Sequence, residues 1–319
     1  MPLQSLAVHA LCLHDLLEPG CKKRVAREGP IMGQWEAAMQ VGDFKQNMRE
    51  QWDRAARGWS DQTPAISAWL RAPTKRMFEM AHIERGQRVL DVAAGAGDQT
   101  VALALKVGPD GEVVATDLSP VILQMARERA LQDGLSNVRF EIADIEALNM
   151  PDQSFDAAIC RLGMMFCTNP VLGLQNIKNA LKHEGRFCAM VFSDPANNPC
   201  MTTVMHTALE HTKMPPTDPF LPGTLFSLGK PGLLEGMFAQ AGFRNIEREC
   251  VSAPFHMQSA RAFLKFIEAA ASPIRTLLSK LDQDGQRRAL DQMHERLEMF
   301  STNDGWAGPN ELLLVAGQR

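Results

Sequence analysis

The sequence predicts a doubly wound α/β fold built on a mainly parallel, seven-stranded sheet. Short apolar runs near 88–93, 112–117, 137–143, 155–160, 186–193, 244–255 and 311–316 read as strands. Helical patterns fill the intervals, an alternation that covers a parallel sheet on both faces. The most informative stretch is Val89-Leu90-Asp91-Val92-Ala93-Ala94-Gly95-Ala96-Gly97-Asp98. Here an apolar run ends in a loop of small residues, and a helical pattern follows over 99–107. Strand, tight turn and helix in that order let backbone approach a ligand at the carboxyl end of a strand. Small side chains in the turn leave the space that the ligand needs.

The elements follow in order. Over 1–31, Leu3, Leu6, Leu11, Leu13, Leu16 and Leu17 form an apolar stretch broken by His9, His14 and Asp15. Lys22, Lys23 and Arg24 come after it, the reverse of a signal peptide. A leader or flexible arm is expected there, with translation starting at Met32 as the alternative. Residues 32–85 read as an N-terminal helical cap segment and 86–195 as the core. Within the core, Ser119-Pro120 opens a helix that Gly134 closes. Val171, Leu174, Ile177 and Leu181 stripe the next helix, and Leu233, Leu234, Met237, Phe238 and Ala241 stripe another. A lid insertion is expected at 196–230, core continuation at 231–256, a helical lid insertion at 257–305 and a final core strand at 306–319.

Composition sets limits. The 319 residues are 45% hydrophobic and 22% charged, ordinary for a globular protein. A net charge of −4 supplies no general field for nucleic acid or an anionic membrane. No run is long and apolar enough to span a bilayer. Cys12, Cys21, Cys160, Cys167, Cys188, Cys200 and Cys250 contain no C-x-x-C pair. Neither a metal site nor a disulfide framework is therefore expected, and a reducing cytoplasm is the simple reading. Cys160, Cys188 and Cys250 fall in predicted strands and are expected as buried thiols. The chain has no tyrosine, so no tyrosine serves as a base.

The glycine loop separates two cofactor classes. Ala93, Gly95 and Gly97 fall at alternate positions, and Thr100 stands where the dinucleotide fingerprint has its third glycine. Asp117 ends the second strand, placed to accept hydrogen bonds from both hydroxyls of a ribose. The loop resembles D-x-[GA]-x-G-x-G of class I S-adenosylmethionine-dependent methyltransferases, nearest the small-molecule group that includes the ubiquinone/menaquinone methyltransferases. Leu181-Lys182-His183-Glu184-Gly185-Arg186 resembles that family's L-K-P-G-G-x turn, with His183 and Glu184 departing from it. Gly242-Phe243 is a similar family ending. The resemblance covers roughly 50–255 and the final strand.

It implies a Rossmann-like fold, S-adenosylmethionine as cofactor and S-adenosylhomocysteine as product. It puts Ala93, Gly95, Gly97 and Thr100 at the amino-acid end of the cofactor, and Asp91 near its ammonium. Asp117 serves the ribose, Asp144 and Ile145 the adenine, and Leu118 the other face of that ring. Trp59 closes over the cofactor, where its face also attracts a sulfonium. Arg161 either touches the cofactor or substrate, or pairs with a local acid.

Beyond the fourth strand, Cys160-Arg161-Leu162-Gly163-Met164-Met165-Phe166 lacks the [DNS]-P-P-[YFW] motif of base-modifying methyltransferases. Asn169-Pro170 comes too late and Asp194-Pro195 follows the wrong strand, which argues against DNA-base methylation. Met164, Met165, Met201, Met205, Phe220, Phe226 and Phe263 are expected to receive a flat, partly apolar acceptor. Quinone-like, phenolic or other secondary-metabolite acceptors fit, with O- or C-methylation favoured over N. A hydroxyl acceptor needs a base, for which His206 and His211 are candidates and His256 a third. An acidic phenol or stabilised carbanion needs little base.

The leading reading is thus a cytoplasmic small-molecule methyltransferase, monomeric or homodimeric, with no nucleic-acid partner. A nicotinamide-dependent oxidoreductase and a non-catalytic protein of the same fold are the alternatives.

Overall fold

Seven strands hydrogen-bond into one sheet: β1 (Arg88–Val92), β2 (Glu112–Asp117), β3 (Val138–Ile142), β4 (Phe155–Arg161), β5 (Leu181–Phe192), β6 (Arg244–Ser252) and, last in the chain, β10 (Glu311–Gln318). The order across the sheet is β3-β2-β1-β4-β5-β10-β6. Neighbours from β3 to β5 run parallel, and β10 runs antiparallel to both β5 and β6. The computed structural model describes residues 30–319 apart from 217 and 271, with side chains from 44 onward apart from those of 272 and 273 as well. Residues 1–29 of the expected arm, with Cys12 and Cys21, lie outside the residues so described, and at Met32 the backbone alone is described.

Two compact units divide the chain, Met1–Phe44 and Lys45–Arg319. Two helices precede the sheet, α1 (Pro30–Asp61) and α2 (Thr63–Met80). The crossover helices are α3 (Asp98–Val107), α4 (Pro120–Gln132), α5 (Pro170–Ala180), α6 (Pro199–Thr212) and α7 (Leu233–Gln240). Ser119 caps α4 by accepting from the Ile122 N–H at 3.1 Å, as its sequence predicts. The central strands are apolar on both faces, and Val89, Leu90, Ala157, Ile159, Ala189 and Leu314 are fully buried. The chain leaves β1 toward β2 and later returns to β4 on its other side. A crevice therefore opens at the carboxyl ends of β1 and β4, where ligands of such sheets bind.

Two expectations need correction. The run at 244–255 is not one strand. It breaks after Ser252 beside Pro254, which has no N–H for a ladder, and resumes in a second sheet ordered β7-β9-β8. These strands are β7 (Phe255–Met257), β8 (Ser301–Thr302) and β9 (Gly305–Gly308). The helices α8 (Ala260–Ala270), α9 (Ser272–Leu278) and α10 (Gln283–Leu297) lie between β7 and β8, so the region expected to be helical ends in a hairpin. Trp306 anchors that hairpin, stacking on Phe263 at 4.6 Å and donating its indole N–H to the Leu297 carbonyl at 2.8 Å. Cys250 is the second correction. It is exposed because β6 is an edge strand with one face toward solvent, whereas Cys160, Cys167, Cys188 and Cys200 are buried. Among the described residues, no helix is long and apolar enough to cross a membrane.

Candidate functional site

The glycine loop lies at the head of the crevice, and its shape follows from its backbone. Ala93, Gly95 and Gly97 all take positive φ, at 56°, 57° and 84°. The Ala94 N–H donates to the Thr116 carbonyl at 2.9 Å, and the Gly97 N–H to the Ala94 carbonyl at 3.1 Å. A Cβ on Gly97 would stand 2.7 Å from the Ala126 Cβ and 2.9 Å from its Cα. Gly97 is thus required by close packing on α4 as well as by its φ. A Cβ on Gly95 would stand 3.5 Å from Trp59 Nε1, so the Trp59 indole roofs this part of the loop. Behind the loop, the first turn of α3 presents amides with no partner inside the helix, which favour a carboxylate.

Three carboxyl groups, Asp91, Asp117 and Asp144, lie at or just past the carboxyl ends of β1, β2 and β3. Asp91 is fully buried beneath the loop. It accepts from Thr100 Oγ1 at 2.6 Å and from Gln99 Nε2 at 3.4 Å. Burial pushes its carboxyl up to about 7 against these hydrogen bonds and the nearby Arg161 charge. Asp117 accepts from the Gly95 N–H and from the Ser119 N–H, both at 2.9 Å. Burial raises it to about 6. Asp53 of α1 takes the Ser119 hydroxyl at 2.5 Å, joining α1 to the same turn. Asp144 follows β3, accepts from the Glu146 N–H at 2.9 Å and is bridged by Lys45. Lys45 also pairs with Glu146 at 2.6 Å. Burial raises the Glu146 carboxyl, but Lys45, the Asn169 N–H and Thr168 outweigh it and hold the group below its usual value. Leu118 and Ile145 are half-buried on the turns that carry Asp117 and Asp144.

Arg161 pairs with a local acid. Its guanidinium donates to Asp98 Oδ1 and Gln99 Oε1, both at 2.5 Å, and to Thr74 Oγ1 at 3.1 Å. These bonds tie the tip of β4 to the first turn of α3. Of the two roles open to Arg161, the structure shows the pairing with a local acid.

Next to the loop is a cavity of about 250 Å³. Trp52, Trp59, Trp69, Phe166, Phe192 and Phe255 form its aromatic walls. Met165, Met201 and Met205 line it too, together with Leu162 at the tip of β4. No ionisable side chain lines it. Trp52 stands edge-on to Trp59 and to Phe166, with centroids at 5.8 and 5.6 Å. Since Trp59 lies against Gly95 and also lines the cavity, one indole joins the glycine loop to the cavity.

Of the residues expected to meet the acceptor, the structure gathers Met165, Met201 and Met205. Met164, Phe226 and Phe263 are core residues instead. Phe226 packs edge-on against Phe192 at 5.9 Å, and Phe263 stacks on Trp306. Phe220, in the turns after α6, does not line the cavity. Neither expected base reaches it. His206 is exposed on α6, and His211 Nε2 meets Gln292 Oε1 at 2.5 Å. His256 lines a separate surface groove beside Asp304 and Gln258. The reason is helical geometry: on α6, Met201 and Met205 share one face four residues apart, and His206 falls about 100° away.

Sequence reasoning missed Lys45, Met48, Gln51, Trp52 and Trp69. A signal was present, because Lys45, Met48, Trp52 and Trp59 recur at helical spacing in α1. The aromatic walls contributed by β5 and β7 had no such local signal.

Comparison with known proteins agrees with this geometry. A family model described as "Methyltransferase domain" matches residues 83–220. The ubiquinone/menaquinone biosynthesis C-methyltransferase UbiE of Azotobacter vinelandii is 37% identical over 134 residues, 41% of this chain and 53% of that protein. UbiE of Ectopseudomonas mendocina is 38% identical over 144 residues, 44% of this chain and 56% of that protein. The chain thus spans about half the length of the curated relatives it matches. Among solved structures, a putative methyltransferase of Bacillus halodurans aligns with a TM-score of 0.53 at 21% identity, covering 77% of this chain and 98% of that one. Phosphoethanolamine N-methyltransferase 2 of Haemonchus contortus, in complex with phosphomonomethylethanolamine and S-adenosylhomocysteine, aligns with a TM-score of 0.54 at 16% identity. That match covers 85% of this chain and 60% of that one, and shows a shared fold. With the strand order, these matches identify residues 83–220 as a class I methyltransferase domain, whose cofactor is S-adenosylmethionine.

Proposed function

We propose that the protein transfers a methyl group from S-adenosylmethionine to oxygen or a ring carbon of a small, flat, largely apolar acceptor, quinone-like or phenolic in character. The observation that carries this is the aromatic cavity joined to the glycine loop through Trp59. Its walls suit stacking on a planar ring. An unpaired charge buried there would find no counter-ion on the protein, which disfavours phosphate-bearing acceptors. The UbiE relatives are named for C-methylation in quinone biosynthesis, and that acceptor class fits such walls. Free thiols and the charge balance suit a cytoplasmic enzyme.

The residues divide the work. When bound, S-adenosylmethionine supplies an electrophilic methyl group. The loop amides and the first turn of α3 would hold its carboxylate end, Asp117 its ribose and Asp144 its adenine, and Asp91, fully buried beneath the loop, would supply negative charge below its ammonium end. Arg161 fixes Asp98 and Gln99, and so fixes the turn that carries those amides. Trp59 closes the loop and begins the acceptor cavity. The aromatic walls exclude water and hold the acceptor in line, the main protein contribution to a displacement of this kind.

Incubation with isotope-labelled S-adenosylmethionine and a panel of phenols, hydroquinones and amines tests the reading. Label should enter the phenolic or hydroquinone compounds, at oxygen or ring carbon. Transfer to amines alone would sink it. A general base contributes about 10²–10⁴-fold. Because no histidine lines the cavity, His206→Ala and His211→Ala are each expected to keep the rate within about a factor of two. A loss of 100-fold in either would restore that histidine as the base. Asp117→Ala should weaken S-adenosylhomocysteine binding by about 1–3 kcal/mol, the scale of charge-assisted hydrogen bonds. Calorimetric titration measures this, and unchanged affinity would remove Asp117 from the ribose site.

A further inference from the structure

The cavity holds one side chain out of character with its walls. Gln51 lines it from α1, between Met48 and Trp52, and is half-buried. Its amide has no hydrogen-bond partner among the described residues. The other polar groups in the wall differ. Thr224 turns its hydroxyl proton back to the carbonyls of Pro219 and Leu221, at 2.5 and 2.8 Å. The Trp69 indole N–H is taken by the Ala253 carbonyl at 2.8 Å. The N–H groups of Trp52 and Trp59 have no partner among the described residues, but an indole only donates. Gln51 is therefore the one lining side chain able to donate and accept at once without breaking an existing bond.

We propose that Gln51 sets acceptor specificity by hydrogen-bonding a single neutral oxygen, a hydroxyl or carbonyl, on an otherwise hydrocarbon ring system. This rests on the cavity being the acceptor site. A group at this position has two consequences. An apolar wall binds rings of similar size almost alike, so it discriminates weakly among them. A polar group that must be satisfied rejects the ring lacking the oxygen, because the amide is then left desolvated and unpaired. One oxygen read at one point also fixes how the ring lies in the cavity, and so which atom of the acceptor faces the glycine loop. The neutrality of the amide matters too. Gln51 offers no charge to compensate an acidic substituent, so carboxylated or phosphorylated rings are poor ligands.

The test compares two probes of one ring size, 2-naphthol and naphthalene. Their binding to the full-length protein is measured by equilibrium dialysis, for the native sequence and for Gln51→Met. Methionine is close to glutamine in length and helix propensity but cannot make the hydrogen bond. The native protein should prefer 2-naphthol, and Gln51→Met should lose about 3–10-fold in 2-naphthol affinity, the scale of one neutral hydrogen bond. Naphthalene affinity should be unchanged or slightly improved in the variant, and this reports on whether the cavity is intact. Equal loss for both probes would assign Gln51 to packing and overturn the proposal. Unchanged 2-naphthol affinity would overturn it as well. If neither probe binds the native protein, the acceptor-site reading itself fails, and the role of Gln51 fails with it.

Discussion

Gly97→Ala is expected to destabilise the protein by about 2–5 kcal/mol and to abolish measurable S-adenosylhomocysteine binding. Two costs add. A left-handed φ of 84° strains any residue with a Cβ, by about 1–2 kcal/mol. The new methyl would also stand 2.7 Å from the Ala126 Cβ and 2.9 Å from its Cα. Those neighbours are a methyl and a backbone atom, so neither has a flexible end to swing aside. Relief requires moving the loop away from α4, at about 1–3 kcal/mol for overpacking. That movement also shifts the amides that hold the cofactor. Gly86 provides the control. Its φ is 79°, but nothing stands within 4 Å of its Cβ position. Gly86→Ala should therefore cost only the φ strain. Urea unfolding of both variants separates the two costs, and equal destabilisation would show that the close approach at Ala126 contributes nothing.

The second large effect is on the pH dependence of stability. Asp91 stands at about 7 and Asp117 at about 6 in the folded chain, both raised chiefly by burial. In an unfolded chain both titrate near 3.9. Between pH 4 and 7 the folded state therefore holds more protons than the unfolded state, and stability falls as pH rises. Glu146 acts in the opposite sense. Its lowered folded value gives stability above its ordinary range, lost as pH falls. For Asp91 alone, the loss between pH 5 and pH 8 is about 2–3 kcal/mol. Asp91→Asn should remove it, since an amide accepts from Thr100 without ionising. Unfolding midpoints of the ligand-free protein at the two pH values measure this directly. If the variant lost as much stability as the native protein, another group would be responsible. The substitution should also weaken S-adenosylhomocysteine, whose ammonium would face an uncharged partner. A site that keeps an unpaired buried acid gives up stability until a cation arrives.

Much of this was legible in the chain. Short apolar runs and their spacing located all seven strands of the main sheet. The small-residue turn after Val92 pointed to the cofactor crevice, because a tight turn and close helix packing demand particular residues at particular positions. Ser119 was readable as a cap for the same local reason. Other roles were not legible where they depend on a distant partner. Arg161 could be read as a ligand or as one half of an ion pair until Asp98, 63 positions away, was seen beside it. Asp144 could be placed at the tip of β3, but its ion pair with Lys45, 99 positions earlier, could not be read from local spacing. Phe226 and Phe263 carried the right chemistry for the acceptor cavity and are packed in the core. His206 sits in the expected insertion and points to solvent.

The sequence by itself therefore determined the strand order's raw material, the glycine loop and the carboxylates at the strand tips, since these are set by local periodicity and backbone demands. Only the tertiary structure decided which side chains share a cavity, which acid holds Arg161 and that Gln51 faces aromatic walls. Those contacts join segments far apart in the chain, and local spacing carries no record of them.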